Sequence, residues 1–213
     1  MRLYLSSYKF GNAPEHLSSL APDNRRTAII MNASDVYEPS RRKEYVEANR
    51  AGLDALGLEG DEFDLRDYFN RPEELNRALD SYGLVWAVGG NSFILRRAMA
   101  YSGFDKAATT RVRSGSLVYA GFSAGAVVAT RTVHGLDIGD DPAEIPDGYH
   151  SAAIFDGLGL VDYSIAPHYC SDHPESATIE RVVQYFEANG MPYRALTYGQ
   201  AIVVDGEKSF IAG

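Results

Sequence analysis

Apolar residues along this chain fall into short unbroken runs, separated by polar stretches in which apolar positions recur at helical spacing. Thr27-Ala28-Ile29-Ile30-Met31 is one run, bounded by Arg25-Arg26 and by Asn32-Ala33-Ser34, and Leu84-Val85-Trp86-Ala87-Val88 is another. A strand with one wet face would alternate apolar and polar side chains. Continuous runs predict strands buried on both faces, as in a parallel sheet covered by helices. Leu3 to Leu5, Asp61 to Leu65, Leu117 to Ala120 and Leu160 to Ala166 read as further strands. Pro39 opens a helix with Tyr45, Val46, Ala48, Leu53 and Leu56 mainly on one side, and Gly57 closes it. Pro72 to Leu79, Phe93 to about Tyr101 and Ala107 to Arg113 read as helices. Pro174 opens another, with Ile179, Val182, Val183 and Phe186 at i, i+3, i+4 and i+7. Arg194 to Tyr198, Ala201 to Val204 and Ser209 to Ile211 read as closing strands, the last two a hairpin around Asp205-Gly206. The alternation predicts a single α/β domain over residues 1–213. Its sheet is mostly parallel, with helices on both faces and a C-terminal β-hairpin.

In such sheets, sites form beyond the carboxyl ends of the strands. Three predicted ends carry unusual residues. After Leu117 to Ala120 comes Gly121-Phe122-Ser123-Ala124-Gly125, a G-x-S-x-G pattern between a buried strand and a small-residue helix. A serine on so sharp a corner projects its Oγ outward, and the flanking glycines let strand and helix approach closely. After Leu84 to Val88 comes Gly89-Gly90-Asn91-Ser92, which lacks the third glycine of a dinucleotide fingerprint and the lysine of a P-loop. Beside a serine elbow it reads as an oxyanion loop, with the Gly90 and Ala124 amides as donors. The third end carries Pro167-His168, and His168 reads as the general base for Ser123. The loop between Ser123 and His168 offers Asp137, Asp140, Asp141, Glu144 and Asp147 as the acid of a triad, and the spacing does not choose among them.

Charge and composition narrow the class. With 29 acidic against 20 basic residues, the net charge of −9 argues against nucleic acid and anionic membranes as partners. The one cysteine, Cys170, allows no internal disulfide and suits a reducing compartment. No apolar run approaches membrane-spanning length and no secretory leader is evident, so a cytoplasmic location is expected. His168, Asp172 and His173 show no recurring metal-ligand spacing, so neither metal nor cofactor is expected. Pairing with a second copy of the chain stays open.

Three blocks then carry a family resemblance: Gly89-Gly90-Asn91-Ser92-Phe93, Ser123-Ala124-Gly125-Ala126, and Gly157-Leu158-Gly159-Leu160 leading to Pro167-His168-Tyr169. Together they resemble the serine peptidases of the aspartyl dipeptidase E and cyanophycinase family, whose fold is similar to class I glutamine amidotransferases. The resemblance implies a Ser-His-acid peptidase acting on short peptides, foremost those with an N-terminal aspartate. It implies Ser123 as nucleophile, His168 as base, and Asp137 as the acid, with Asp141 and Glu144 as alternatives. Arg131 would clamp the substrate carboxylate. An esterase on the same elbow, or a binding domain that kept the fold without catalysis, are the competing readings.

Overall fold

The computed structural model describes residues 1–213. Seven strands form the central sheet: β1 (Arg2–Ser6), β2 (Arg26–Ile30), β3 (Glu59–Glu62), β4 (Leu84–Ala87), β5 (Val118–Phe122), β8 (Ala201–Asp205) and β9 (Lys208–Ala212). Their order is β3-β2-β4-β5-β1-β8-β9. The first five are parallel, and β8 and β9 close the edge as an antiparallel hairpin. The unbroken runs Ile29 to Met31 and Leu84 to Val88 are fully buried, as a two-sided covering requires.

Alternate residues of one strand feed two cores. Ala28 and Ile30 of β2 join the larger cluster, and Ile29 joins the smaller one on the other face. The smaller core is covered by α1 (Glu15–Leu20) and α2 (Pro39–Asp54) through Leu17, Leu20, Val46 and Leu53. The larger is covered by α4 (Ser92–Ser102), α5 (Phe104–Ser114) and α7 (Ser176–Ala188), with α3 (Pro72–Ala78) and the short α6 (Ala124–Val127). The predicted architecture is the observed one: α/β, mostly parallel, helices on both faces, hairpin at the end.

Two details depart from the sequence reading. The strand expected over Leu160 to Ala166 shrinks to β6 (Ser164–Ala166) and leaves the main sheet. It pairs in parallel with β7 (Tyr193–Ala195), the segment expected among the closing strands. The helix after the elbow is also short, ending at Val127. Beyond it, Gly157 lies so close to the Thr130 carbonyl that a Cβ there would approach it to 2.0 Å. Arg131 belongs to a separate surface depression with Arg113 and Arg194, not to the serine's surroundings.

Candidate active site

Ser123 sits between β5 and α6 with φ 49° and ψ −118°, a region that non-glycine residues avoid. Holding it there costs on the order of 1–3 kcal/mol. Several contacts fix it. The Ser123 amide donates to the Ser6 carbonyl at 3.1 Å, and its carbonyl accepts from the Ala126 and Val127 amides at 2.9 Å. Glycine is required on both sides. A Cβ on Gly125 would stand 2.0 Å from the Ala87 carbonyl oxygen, and one on Gly121 would stand 2.7 Å from the same atom. The elbow thus packs backbone to backbone against β4.

His168 follows β6 and Pro167. It too has a left-handed backbone, φ 61°, and its side chain is buried. Its amide donates to Ser7 Oγ at 2.8 Å, and its carbonyl accepts from Ser171 Oγ at 2.7 Å. These bonds place Nε2 3.1 Å from Ser123 Oγ. Burial, and then the neighbouring His173, push the imidazole down to a pKa of about 3, so it is neutral at physiological pH. His173 stacks on it with ring centroids 3.9 Å apart and planes 13° from parallel. Glu175 Oε2 lies 3.9 Å from His168 Nε2 and 4.0 Å from His173 Nδ1. These three side chains bring their donor atoms within 4.8 Å of one another. Nearly parallel rings, however, point their in-plane lone pairs past a common centre, which does not fit a tetrahedral metal site.

The glycine loop Gly89-Gly90-Asn91 lies beside the serine. Gly89 comes so close that a Cβ on it would sit 3.1 Å from Ser123 Cβ. Gly90 has φ 143°, and a Cβ there would meet the Ala33 carbonyl at 2.3 Å, so only glycine fits. Neither the Gly90 nor the Ala124 amide is engaged by an acceptor within the chain. Asn91 caps α4, accepting from the Phe93 and Ile94 amides, while its Nδ2 donates to the Asp141 carbonyl and to Glu144 Oε2. Asp140 Oδ2 accepts from the Ser92 amide at 2.9 Å and from Ser92 Oγ at 2.6 Å. The acidic loop is therefore tied to the glycine loop at both Asn91 and Ser92. Desolvation is the largest influence on Asp140, outweighing these bonds, and pushes its carboxyl up to about 6.

The triad acid is where sequence reasoning and structure part. His168 Nδ1 is buried and has no hydrogen-bond partner, so no carboxylate stands behind the ring. Asp137 is spent locally: it lies on the short 3-10 turn Leu136–Ile138 and accepts from the Gly135 amide at 2.9 Å. Asp141 accepts from the Ala143 amide, and Glu144 serves Asn91. Asp141 and Glu144 do line the cleft that holds Ser123 and His168, a space of about 410 Å³; Asp137 does not. Sequence reasoning missed Glu175 and gave His173 no part beside Ser123. It also missed Ser7 and Tyr8 at the carboxyl end of β1, a fourth strand end that the same topological rule marks. Tyr8 lines the cleft, and its ring lies 5.9 Å from that of His168.

A serine on a strained strand-to-helix corner, an imidazole within hydrogen-bond reach of it and a neighbouring glycine loop with free amides are the arrangement that a serine hydrolase needs. The chain belongs to peptidase family S51, whose model matches residues 5–212. It is 32% identical over 210 residues to a peptidase E of Streptomyces coelicolor, covering 95% of this chain and 77% of that one. A Drosophila melanogaster relative, named as an alpha-aspartyl dipeptidase, is 30% identical over 204 residues, covering 93% of this chain and 80% of the relative. A crystal structure described as a peptidase E protein from Listeria monocytogenes superposes with a TM-score of 0.79 at 25% identity, covering 99% of this chain and 97% of the other. The protein is a serine peptidase of the dipeptidase type. No helix is long and apolar enough to cross a membrane.

Proposed function

We propose that Ser123 is the nucleophile and His168 the general base of a peptidase that removes the first residue from short peptides. One observation carries the assignment: Nε2 stands 3.1 Å from an Oγ held on a strained strand-to-helix corner. Ser123 Oγ attacks the scissile carbonyl as its proton passes to Nε2. The Gly90 and Ala124 amides then donate to the oxyanion, each contributing roughly 3 kcal/mol to the barrier reduction. The imidazolium returns its proton to the leaving amine, and a water, deprotonated in the same way, releases the acyl group. Nδ1 has no acceptor, and burial followed by the neighbouring His173 keeps the imidazole neutral until it takes the serine's proton. The role given to Asp137 by resemblance is not assigned.

The name of the fruit-fly relative makes Asp-X dipeptides one substrate class to try. A panel of dipeptides and tripeptides with acidic, neutral and basic first residues, read by mass spectrometry, tests the reading. Release of the first amino acid by the wild-type protein is the expected result. Hydrolysis of p-nitrophenyl acetate with every peptide left intact would point to an esterase instead.

A further inference from the structure

The loop over residues 139–155 builds one wall of the cleft, through Asp140, Asp141 and Glu144, yet it contains no helix or strand. From Ile145 to Phe155 only the Tyr149 amide finds an acceptor within the chain, the Pro146 carbonyl at 3.2 Å. A segment so poor in hydrogen bonds of its own keeps one conformation only if side chains from elsewhere hold it.

The holder at its centre is Arg97 of α4, whose side chain is fully buried. Every guanidinium nitrogen is used. Nε donates to the Ala152 carbonyl at 3.1 Å and Nη1 to the Glu144 carbonyl at 3.4 Å. Nη2 donates to the Pro142 and Ser151 carbonyls at 2.5 and 3.2 Å. No other donor in the chain reaches these four oxygens. They fall on two arms of the loop, Pro142 and Glu144 on one, Ser151 and Ala152 on the other. One planar fork therefore clamps the arms to each other as well as to the helix. A lysine, with all its donors on a single nitrogen, cannot span both.

The same helix starts at the glycine loop. Its cap Asn91 donates to the Asp141 carbonyl and to Glu144 Oε2, and Ser92 Oγ donates to Asp140 Oδ2. The wall is thus referred to the Gly90 amide through one rigid element. Ser123 and His168 are fixed separately, by the Ser6 carbonyl and Ser7 Oγ, with no bond to the loop.

We infer that Arg97 is a positioning residue for the Ser123 site: by clamping both arms of the loop to α4 it holds the Asp140-Asp141-Glu144 wall at the separation from Ser123 that substrate binding requires. The loop is a fixed wall, not a lid. The effect on turnover rests on Ser123 as the site of reaction; the hold on the loop does not.

The test is Arg97→Lys in the full chain, which keeps the charge and removes the fork. Amides over residues 140–152 should exchange with deuterium at least ~10-fold faster than in wild type, while those of β4 and β5 are unchanged. KM for the dipeptide Asp-Ala should rise at least ~10-fold with kcat and the rate of fluorophosphonate labelling at Ser123 within ~3-fold of wild type, because the wall binds substrate and the reacting pair is held elsewhere. Arg97→Ala should behave alike and regain a low KM with added ethylguanidinium but not with ethylammonium; where the alanine variant does not fold, Arg97→Lys carries the test. Unaltered loop exchange in Arg97→Lys would overturn the inference. So would a freed loop with wild-type KM, or kcat and labelling that fall in step with KM, the mark of a general loss of fold. A wild-type protein that cleaved no peptide would sink the peptidase reading, while a loop freed in Arg97→Lys would still uphold the clamp.

Discussion

Ser123→Ala is expected to lower kcat for peptide hydrolysis by roughly 10⁴-fold or more while leaving the melting temperature within a few degrees of wild type. The size follows from the division of labour in the site. The remaining parts, the glycine-loop amides and the cleft, still bind and polarise a carbonyl, but no nucleophile stands at the corner. His168→Ala should cost as much as the serine change, and the double variant little more, because the two side chains act as one unit. Stability should be unaffected or slightly improved in Ser123→Ala, since alanine makes no demand on a partner and the strained φ of 49° is enforced by the backbone contacts to Ser6, Ala126 and Val127. Turnover near wild type in a folded Ser123→Ala protein would remove the serine from the mechanism.

The second large effect is structural. Gly125→Ala is expected to lower stability by roughly 3–5 kcal/mol, because the new Cβ would sit 2.0 Å from the Ala87 carbonyl oxygen and 2.6 Å from its carbon. Both partners are backbone in the centre of the sheet, so neither can rotate away. For a chain of this length such a loss moves the melting temperature down by about 10 °C or more. Gly115→Ala is the contrasting control, since nothing lies within 4 Å of its added Cβ and only the left-handed φ of 82° opposes it. It should cost about 1 kcal/mol. Differential scanning calorimetry of the two variants checks the ranking; equal losses would mean that backbone crowding at the elbow is not what requires its glycines.

How much of this was legible in the sequence varies with how local the cause is. Runs such as Ile29 to Met31 and Leu84 to Val88 announce burial on both faces, and with it the covered parallel sheet, because no other environment accepts them. The elbow is equally local: strand, two glycines, a serine and a small-residue helix are contiguous. Gly90 and His168 could be nominated because topology places strand ends together. The sequence does not choose the acid because Asp137, Asp141 and Glu144 are all loop carboxylates there, and what distinguishes them is which group each one reaches. Two are consumed by amides two residues away, Gly135 and Ala143, and the third by Asn91 from another element. Glu175 could have been found from its neighbours, since it follows His168 by seven residues across Cys170 and Pro174 in a segment that must turn back into α7. The short β6 and β7 left no pattern: three paired residues each are too few to show periodicity.

The central claim, that Ser123 and His168 form a working nucleophile and base, is tested most directly by covalent labelling with a fluorophosphonate, read as intact mass and peptide map across pH. One phosphonyl group should add, on Ser123 alone, and His168→Ala should abolish it. Because burial holds the His168 imidazole at about 3, the base remains neutral well below the 6.5 of an ordinary histidine, and the labelling rate should persist at pH 5 and fall only as the imidazole protonates at lower pH. No label on a folded protein, a label on another residue, or labelling undiminished in His168→Ala would contradict the account.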